Sequence, residues 1–326
     1  MLRCKWFTLL LLMISGHFEV LSQAKIDSSY LQLFDRDDNI QVFTGFYQNN
    51  FAVTAHSYRK TQYELLGNTS AYAGLNLNYK WFSLLVSPNL PGTNIDKKDK
   101  NIKSIQLQSY HFWRSWGFEL NFSQFRGLLV KDRSKDSFFE TFPGVRYTGV
   151  NSNIYYFFDH SHYSYLSSMY YSERQLKSAG SSVVMLTPGY QQFKTKLGNN
   201  ISLPDSLSYN FIVRQPSWVS MALRYGYSYN FVFQKGKWSI NPIAFLEAGV
   251  LKEMNNQNRQ LYPLSGFQFR LNGGYNGANY FFYLNSIYDN TSSYFHKAFL
   301  QSGSFNVSLT AGLRFHSFRK KILGLL

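Results

Sequence analysis

"VSMALRYGYSYNFVF", Val219 to Phe233, alternates from end to end. Val219, Met221, Leu223, Tyr225, Tyr227, Tyr229, Phe231 and Phe233 hold one set of alternate positions. Ser220, Ala222, Arg224, Gly226, Ser228, Asn230 and Val232 hold the other. A side-chain period of two describes a strand with one apolar face and one polar face. The pattern recurs in "AYAGLNLNYKW" (71–81), "GFELNFSQ" (117–124), "SGFQFRLNGGY" (265–275) and "FNVSLTAGLRF" (305–315). Each is about the ten residues that a tilted membrane strand needs. Almost nothing helical is available to cover the apolar faces, so lipid is the medium the pattern predicts.

Composition points the same way. Among 326 residues are 30 Phe and 25 Tyr, and only 16% are charged, against about 25% in a soluble domain. A mean hydropathy of -0.28 means that the apolar residues are dispersed among Ser, Asn, Gln and Gly. Beyond the first two dozen residues no stretch reaches the ~18 apolar residues of a membrane helix, which leaves strands to cross the bilayer.

The opening "MLRCKWFTLLLLMISGHFEVLSQA" has the form of a secretory signal peptide: Arg3 and Lys5, an apolar core from Phe7 to Ile14, and a small, polar exit at Ser22, Gln23 and Ala24. The predicted organisation is a signal peptide over 1–23, an N-terminal periplasmic segment over 24–39, a barrel over 40–318 and a short basic tail over 319–326. Cys4, the single cysteine, leaves with the signal, so no disulfide framework or thiolate metal site is expected. Formal net charge is +15. Export argues against nucleic acid as the partner, and the basic residues are scattered apart from Lys97, Lys98, Lys100 and Lys103 and the terminal Arg319, Lys320 and Lys321. Outer-membrane lipids and lipopolysaccharide phosphates, or plain solvation, are the expected counterparts.

Strands are predicted at 40–57, 70–79, 81–87, 102–113, 117–127, 145–158, 162–174, 217–233, 237–250, 264–275, 278–289 and 304–318. That makes an all-β, antiparallel up-and-down transmembrane barrel of about twelve strands, within a range of ten to fourteen. Short turns (114–117, 159–162, 234–236, 276–277) alternate with long polar loops (88–101, 130–144, 255–263, 290–303), as in outer-membrane barrels. Trp113, Trp116, Phe157, Phe158, Phe231, Phe233, Trp238, Tyr275, Tyr280, Tyr79 and Trp81 flank the short turns and suggest an interfacial girdle. The segment from Gln175 to Pro216 is assigned as a further strand or as a plug.

One stretch exceeds patterning. "YYSERQLKSAGSSVVM", 170–185, resembles the central motif of an uncharacterised family of outer-membrane barrels from Bacteroidota, domain of unknown function family 4421. The matching residues are Glu173, Arg174, Gln175, Lys177, Ser178, Ala179, Gly180 and Ser181. "AGLNLNYKWFSLLVSPNLP" and the run from "LSYNF" to "GYSYNFVF" are similar to its flanking strands, while Val183 and Val184 depart from it. The resemblance implies location and fold, and no activity.

Little in the chain suggests catalysis. His160, Ser161 and His162 share a predicted turn, and His316 and Ser317, as strand neighbours, point to opposite faces and make no nucleophile and base pair. No metal site or cofactor is expected. Glu119, Arg224, Glu247, Arg270 and Arg314 fall on polar faces and are predicted to face the lumen, because a basic side chain facing lipid at the midplane costs about 2–4 kcal/mol. The expected function is a non-enzymatic outer-membrane barrel with a lumen lined or plugged by polar and charged side chains, inserted by the barrel-assembly machinery as a monomer, its ligand unknown. The alternatives are a passive anion-biased pore or small-ligand channel, a lipid hydrolase, and a soluble periplasmic β-sandwich.

Overall fold

The computed structural model describes residues 27–36, 38–55, 63–67, 71–80, 82–95, 104–132, 137–195, 215–254, 260–295 and 298–316. In chain order its strands are β1 (Leu31–Gln32), β2 (Asp38–Ala55), β3 (Tyr63–Gly67), β4 (Ala71–Tyr79), β5 (Phe82–Pro88), β6 (Ser104–Phe112), β7 (Trp116–Asp132) and β8 (Ser137–Phe157). After a π-helical turn at Leu166–Tyr170 come β9 (Arg174–Gln175), β10 (Ala179–Thr195), β11 (Ser217–Phe233), β12 (Trp238–Glu253), β13 (Leu261–Asn276), β14 (Tyr280–Phe295) and β15 (Ala298–Phe315).

Twelve of these strands close an antiparallel ring. The seam is β15 on β2, paired without interruption from Phe315↔Asp38 to Ala298↔Ala55. Closure satisfies the backbone groups that an open edge would leave bare in hydrocarbon. Alternation sorts the side chains: on β11, Leu223 is 54% and Tyr225 59% exposed, whereas Arg224 between them is buried. Leu309 on β15 is likewise outward, at 55%. Among the described residues no second sheet covers these faces, so the β-sandwich alternative fails. The chain is a transmembrane barrel of the outer membrane, its apolar faces turned outward.

The ring is not uniform in height. β3 and β4 both run down β2, but β3 pairs on its other side directly with β7, while the β5–β6 hairpin stands between β4 and β7. The wall therefore has two strands fewer at the loop end than at the short-turn end. Trp116, Phe158, Phe231, Phe233, Trp238 and Tyr280 are exposed beside the short turns, while Phe157 and Tyr79 point inward, contrary to the girdle expectation; Trp81 lies outside the described residues.

The strand list needs one correction. Residues 162–174 do not form a strand of the wall: Tyr163, Ser164 and Tyr165 are buried consecutively, and a wall strand has only one sheltered face. The twelfth strand is instead β10, within the segment 175–216, for which a further strand and a plug are the two expectations; the first holds, and the plug is the stretch before it, 159–178. Two predicted loops are shorter than expected because β7 with β8 and β14 with β15 continue as hairpins to Asp132↔Ser137 and Phe295↔Ala298.

Candidate functional site: the occupied lumen

The plug enters from the short-turn end after β8. Its π-helical turn carries Ser167, Ser168, Met169 and Tyr170 into the interior, all buried. A non-sheet segment inside a barrel must find partners for its backbone, and inward Asn side chains supply them. Asn272 Nδ2 donates to the Ser168 and Met169 carbonyls at 2.8 and 3.1 Å, and Asn241 Nδ2 to Ser168 O at 3.1 Å. Asn230 Nδ2 donates to Ser164 O at 3.2 Å, and Asn276 Nδ2 to Glu173 O at 2.7 Å. Tyr163 is enclosed, with its hydroxyl 2.5 Å from Ser228 Oγ.

The family-motif residues tie this plug down. Glu173 accepts from Arg114 (2.7 Å) and from Ser164 Oγ (2.8 Å). Gln175 is bonded on three sides: its N–H donates to Ser167 Oγ, its Nε2 to His162 O, and its Oε1 accepts from Ser164 N–H and Asn230. Arg174 donates to Asn276 O at 3.0 Å and lies over the Phe34 ring. Lys177 donates to Ser29 Oγ and covers Tyr30. Ser178 Oγ accepts from Val232 N–H, and Ser181 Oγ accepts from Asp159 N–H. Ala179 and Gly180 begin β10, paired with Asn230 and Tyr229. A Cβ on Gly180 would stand 2.4 Å from the Tyr227 hydroxyl. Arg174 and Lys177 make these contacts, with Asn276, Phe34, Ser29 and Tyr30, rather than any with Glu119 or Glu247.

A strap from the N-terminal segment crosses beneath the plug. β1 pairs with β9 (Leu31↔Gln175), and Phe34 is held between Arg174 and Arg314. Arg314 also donates to Asn276 Oδ1 at 2.6 Å and to the carbonyls of Gly277 and Tyr171.

Above the plug lies a charged belt. Glu119 accepts from Tyr155 (2.5 Å), Asn153 (3.0 Å) and Tyr170 (2.6 Å), with Arg270 at 3.9 Å. Arg270 donates to Tyr165, Tyr155 and Gln268. Gln268 continues to Asp289, which with Glu247 holds Arg224, each at 2.8 Å. Asp289 was missed in the sequence because it adjoins a predicted loop. Asn230 and Asn272 were visible as polar-face residues without a role. Higher still the interior is apolar: Phe51, Phe125, Tyr147, Phe193 and Trp218 belong to one buried cluster. Phe51 and Phe193 meet across the barrel with ring centroids 5.0 Å apart.

The histidine turn does not assemble a triad. His162 Nδ1 faces both Asp159 (2.9 Å) and Ser161 Oγ (3.3 Å), so carboxylate and hydroxyl compete for one nitrogen, while the carboxylate toward Nε2, Asp27, stands 3.8 Å away, beyond hydrogen-bond reach. A triad needs them on opposite nitrogens. His160 Nδ1 contacts Phe157 O; His316 is exposed at the end of β15, and Ser317 lies outside the described residues. Among the described residues no group of His, Cys, Asp and Glu could hold a metal ion.

A family model described as "Domain of unknown function (DUF4421)" matches residues 25–315. No curated protein matches the chain. Among solved structures, the outer membrane protease OmpT from Escherichia coli is 8% identical, with 88% of this chain and 100% of that chain covered and a TM-score of 0.35. The beta domain of the Bordetella autotransporter BrkA is 7% identical, with 86% and 100% covered and a TM-score of 0.43. The toluene transporter TodX of P. putida is 9% identical, with 87% and 91% covered and a TM-score of 0.30. At such identities no activity passes from these proteins to this chain.

Proposed function

The chain belongs to the family described as domain of unknown function DUF4421, and we propose that it is a non-enzymatic outer-membrane barrel whose lumen is closed by its own polypeptide. The observation that carries this reading is the bonding of the plug backbone to Asn230, Asn241, Asn272 and Asn276, four inward residues on three different strands. A segment held only for passage would not engage the wall through its main chain at so many points. The aromatic cluster at the loop end supports the same reading.

An anion-biased pore draws on Arg224 and Arg270, but each faces carboxylates, Glu247 with Asp289 and Glu119, so neither offers a free cation to a passing ion. A lipid hydrolase draws on His162 and Ser161, whose shared nitrogen speaks against it. Insertion by the barrel-assembly machinery and a monomeric state complete the proposal. Planar-bilayer recording tests it: the purified chain is expected to show no steady conductance, and the Asn241→Ala/Asn272→Ala/Asn276→Ala variant to show intermittent openings. Steady, anion-selective conductance from the unmodified chain would overturn the closed-lumen reading in favour of the pore.

A further inference from the structure

The outer wall over β7, β8 and β10 is ordered into rows by strand register. At its loop end Arg126 pairs with Arg146, and Arg146 with Lys194, so three cations stand side by side on neighbouring strands. All three have outward parity and are exposed. Like charges directly opposite one another repel. Gly127, at φ +97°, bulges β7 next to Arg126, and such bulges re-aim the side chains beside them.

Height places this row. Arg146 is twelve residues along β8 from the exposed girdle residue Phe158, about 40 Å at ~3.3 Å per residue. At the ~40° tilt of outer-membrane strands the rise is about 30 Å, just beyond an apolar band of ~25 Å. One step toward the membrane, Gln124 Nε2 donates to Thr148 Oγ1 at 3.3 Å, with Gln192 beside them. The next step is apolar and aromatic, with Phe122 and Tyr190 flanking Val150. Cations, then amide and hydroxyl groups, then apolar surface follow the order of phosphate, sugar and acyl chain along an amphiphile. A soluble anion has no use for the lower two rows. Among the described residues the other wall strands carry no matching row at this level; Lys252 stands alone between Val219 and Leu261.

We propose that Arg126, Arg146 and Lys194 seat a phosphate group of an outer-leaflet glycolipid, whose sugar meets Gln124 and Thr148 and whose acyl chains follow Phe122 and Tyr190. The site depends on the loop end facing the cell exterior and not on a closed lumen, so it stands or falls apart from the conductance result.

Native mass spectrometry of the full chain in detergent, titrated with phosphorylated lipid A and with its dephosphorylated form, tests the site. The phosphorylated form is expected to bind at least tenfold more tightly. The Arg126→Gln/Arg146→Gln/Lys194→Gln variant should lose that preference. A Lys80→Gln/Lys235→Gln/Lys237→Gln variant, with the same charge change at the short-turn end, should keep it. Arg146→Gln alone should weaken binding and Arg146→Lys retain most of it, a pair that reads the site even if the triple variant fails to fold. Equal binding of the two lipid forms, equal losses in the two triple variants, or full displacement by an equal concentration of inorganic phosphate would overturn the proposal.

Discussion

Arg270 shows how much of the interior rests on one side chain. It is buried, donates to Tyr155, Tyr165 and Gln268, and faces the carboxylate of Glu119. Removing one partner of a buried pair leaves the other charge uncompensated, which costs about 3–5 kcal/mol. Arg270→Met is therefore expected to lower barrel stability by that amount in denaturant titrations. Arg270→Met with Glu119→Gln should cost less than the sum of the single changes, with a coupling of about 0.5–3 kcal/mol. Asn272→Ala strips a donor from two plug carbonyls, and about 1–3 kcal/mol is the expected loss for buried groups left unpaired. The inward position of Arg270 was legible from its neighbours, Phe269 and Leu271, which are apolar on the opposite face. Its partner Tyr165 was not, because alternation fixes which way a side chain points and carries no information about what arrives from 105 residues away.

The plug and strap are elements that alternation misreads. Tyr163 and Tyr165 have the spacing of a wall strand, but Leu166, Met169 and Tyr170 break it, and only a lumen that surrounds the segment can shelter all of them. The motif from Glu173 to Ser181 stood out in the sequence only by its family resemblance, because its polar members Glu173, Arg174, Gln175, Lys177, Ser178 and Ser181 bond to residues outside their own segment that alternation does not identify. Gly236 sits in the β11–β12 turn at φ +78°, and a Cβ there would lie 2.0 Å from the Gln175 carbonyl. Gly236→Ala is expected to displace β9 and cost about 1–3 kcal/mol in backbone strain, read as a lower unfolding temperature and faster proteolysis of the strap. The strap also has a pH dependence. Hydrogen bonds from Ser29, and secondarily the charges of His162 and Lys177, hold the Asp27 carboxyl below its ordinary value. A depressed folded value stabilises the docked strap above the unfolded carboxyl range, near ~3.9, and the contribution is lost as pH falls through the lower folded value. Limited proteolysis within 27–36 should accelerate below pH ~4 and stay flat above it, and Asp27→Asn should abolish the acid step.

At the scale of the whole molecule the ring, its lipid-facing exterior and its filled interior are one consequence of a period of two, applied to strands that close on themselves. A closed ring with a packed lumen can turn its apolar half only outward, so the medium outside decides what a substitution there costs. Phe269 on β13 is outward and six residues from Tyr275 beside the short turn, about 15 Å in height at ~3.3 Å per residue and ~40° tilt, hence near the middle of a ~25 Å band. Gln124 on β7 is outward one step below the cation row. In lipid, Phe269→Arg should cost about 2–4 kcal/mol and Gln124→Arg about 0–1 kcal/mol. In water the two would cost much the same, since neither side chain is needed by the interior. Equilibrium unfolding from phosphatidylcholine vesicles measures the difference directly. A gap of more than ~1.5 kcal/mol between the variants places hydrocarbon against the middle of the wall and headgroups against its rim, whereas equal costs would require the exterior of the ring to be wet along its full height.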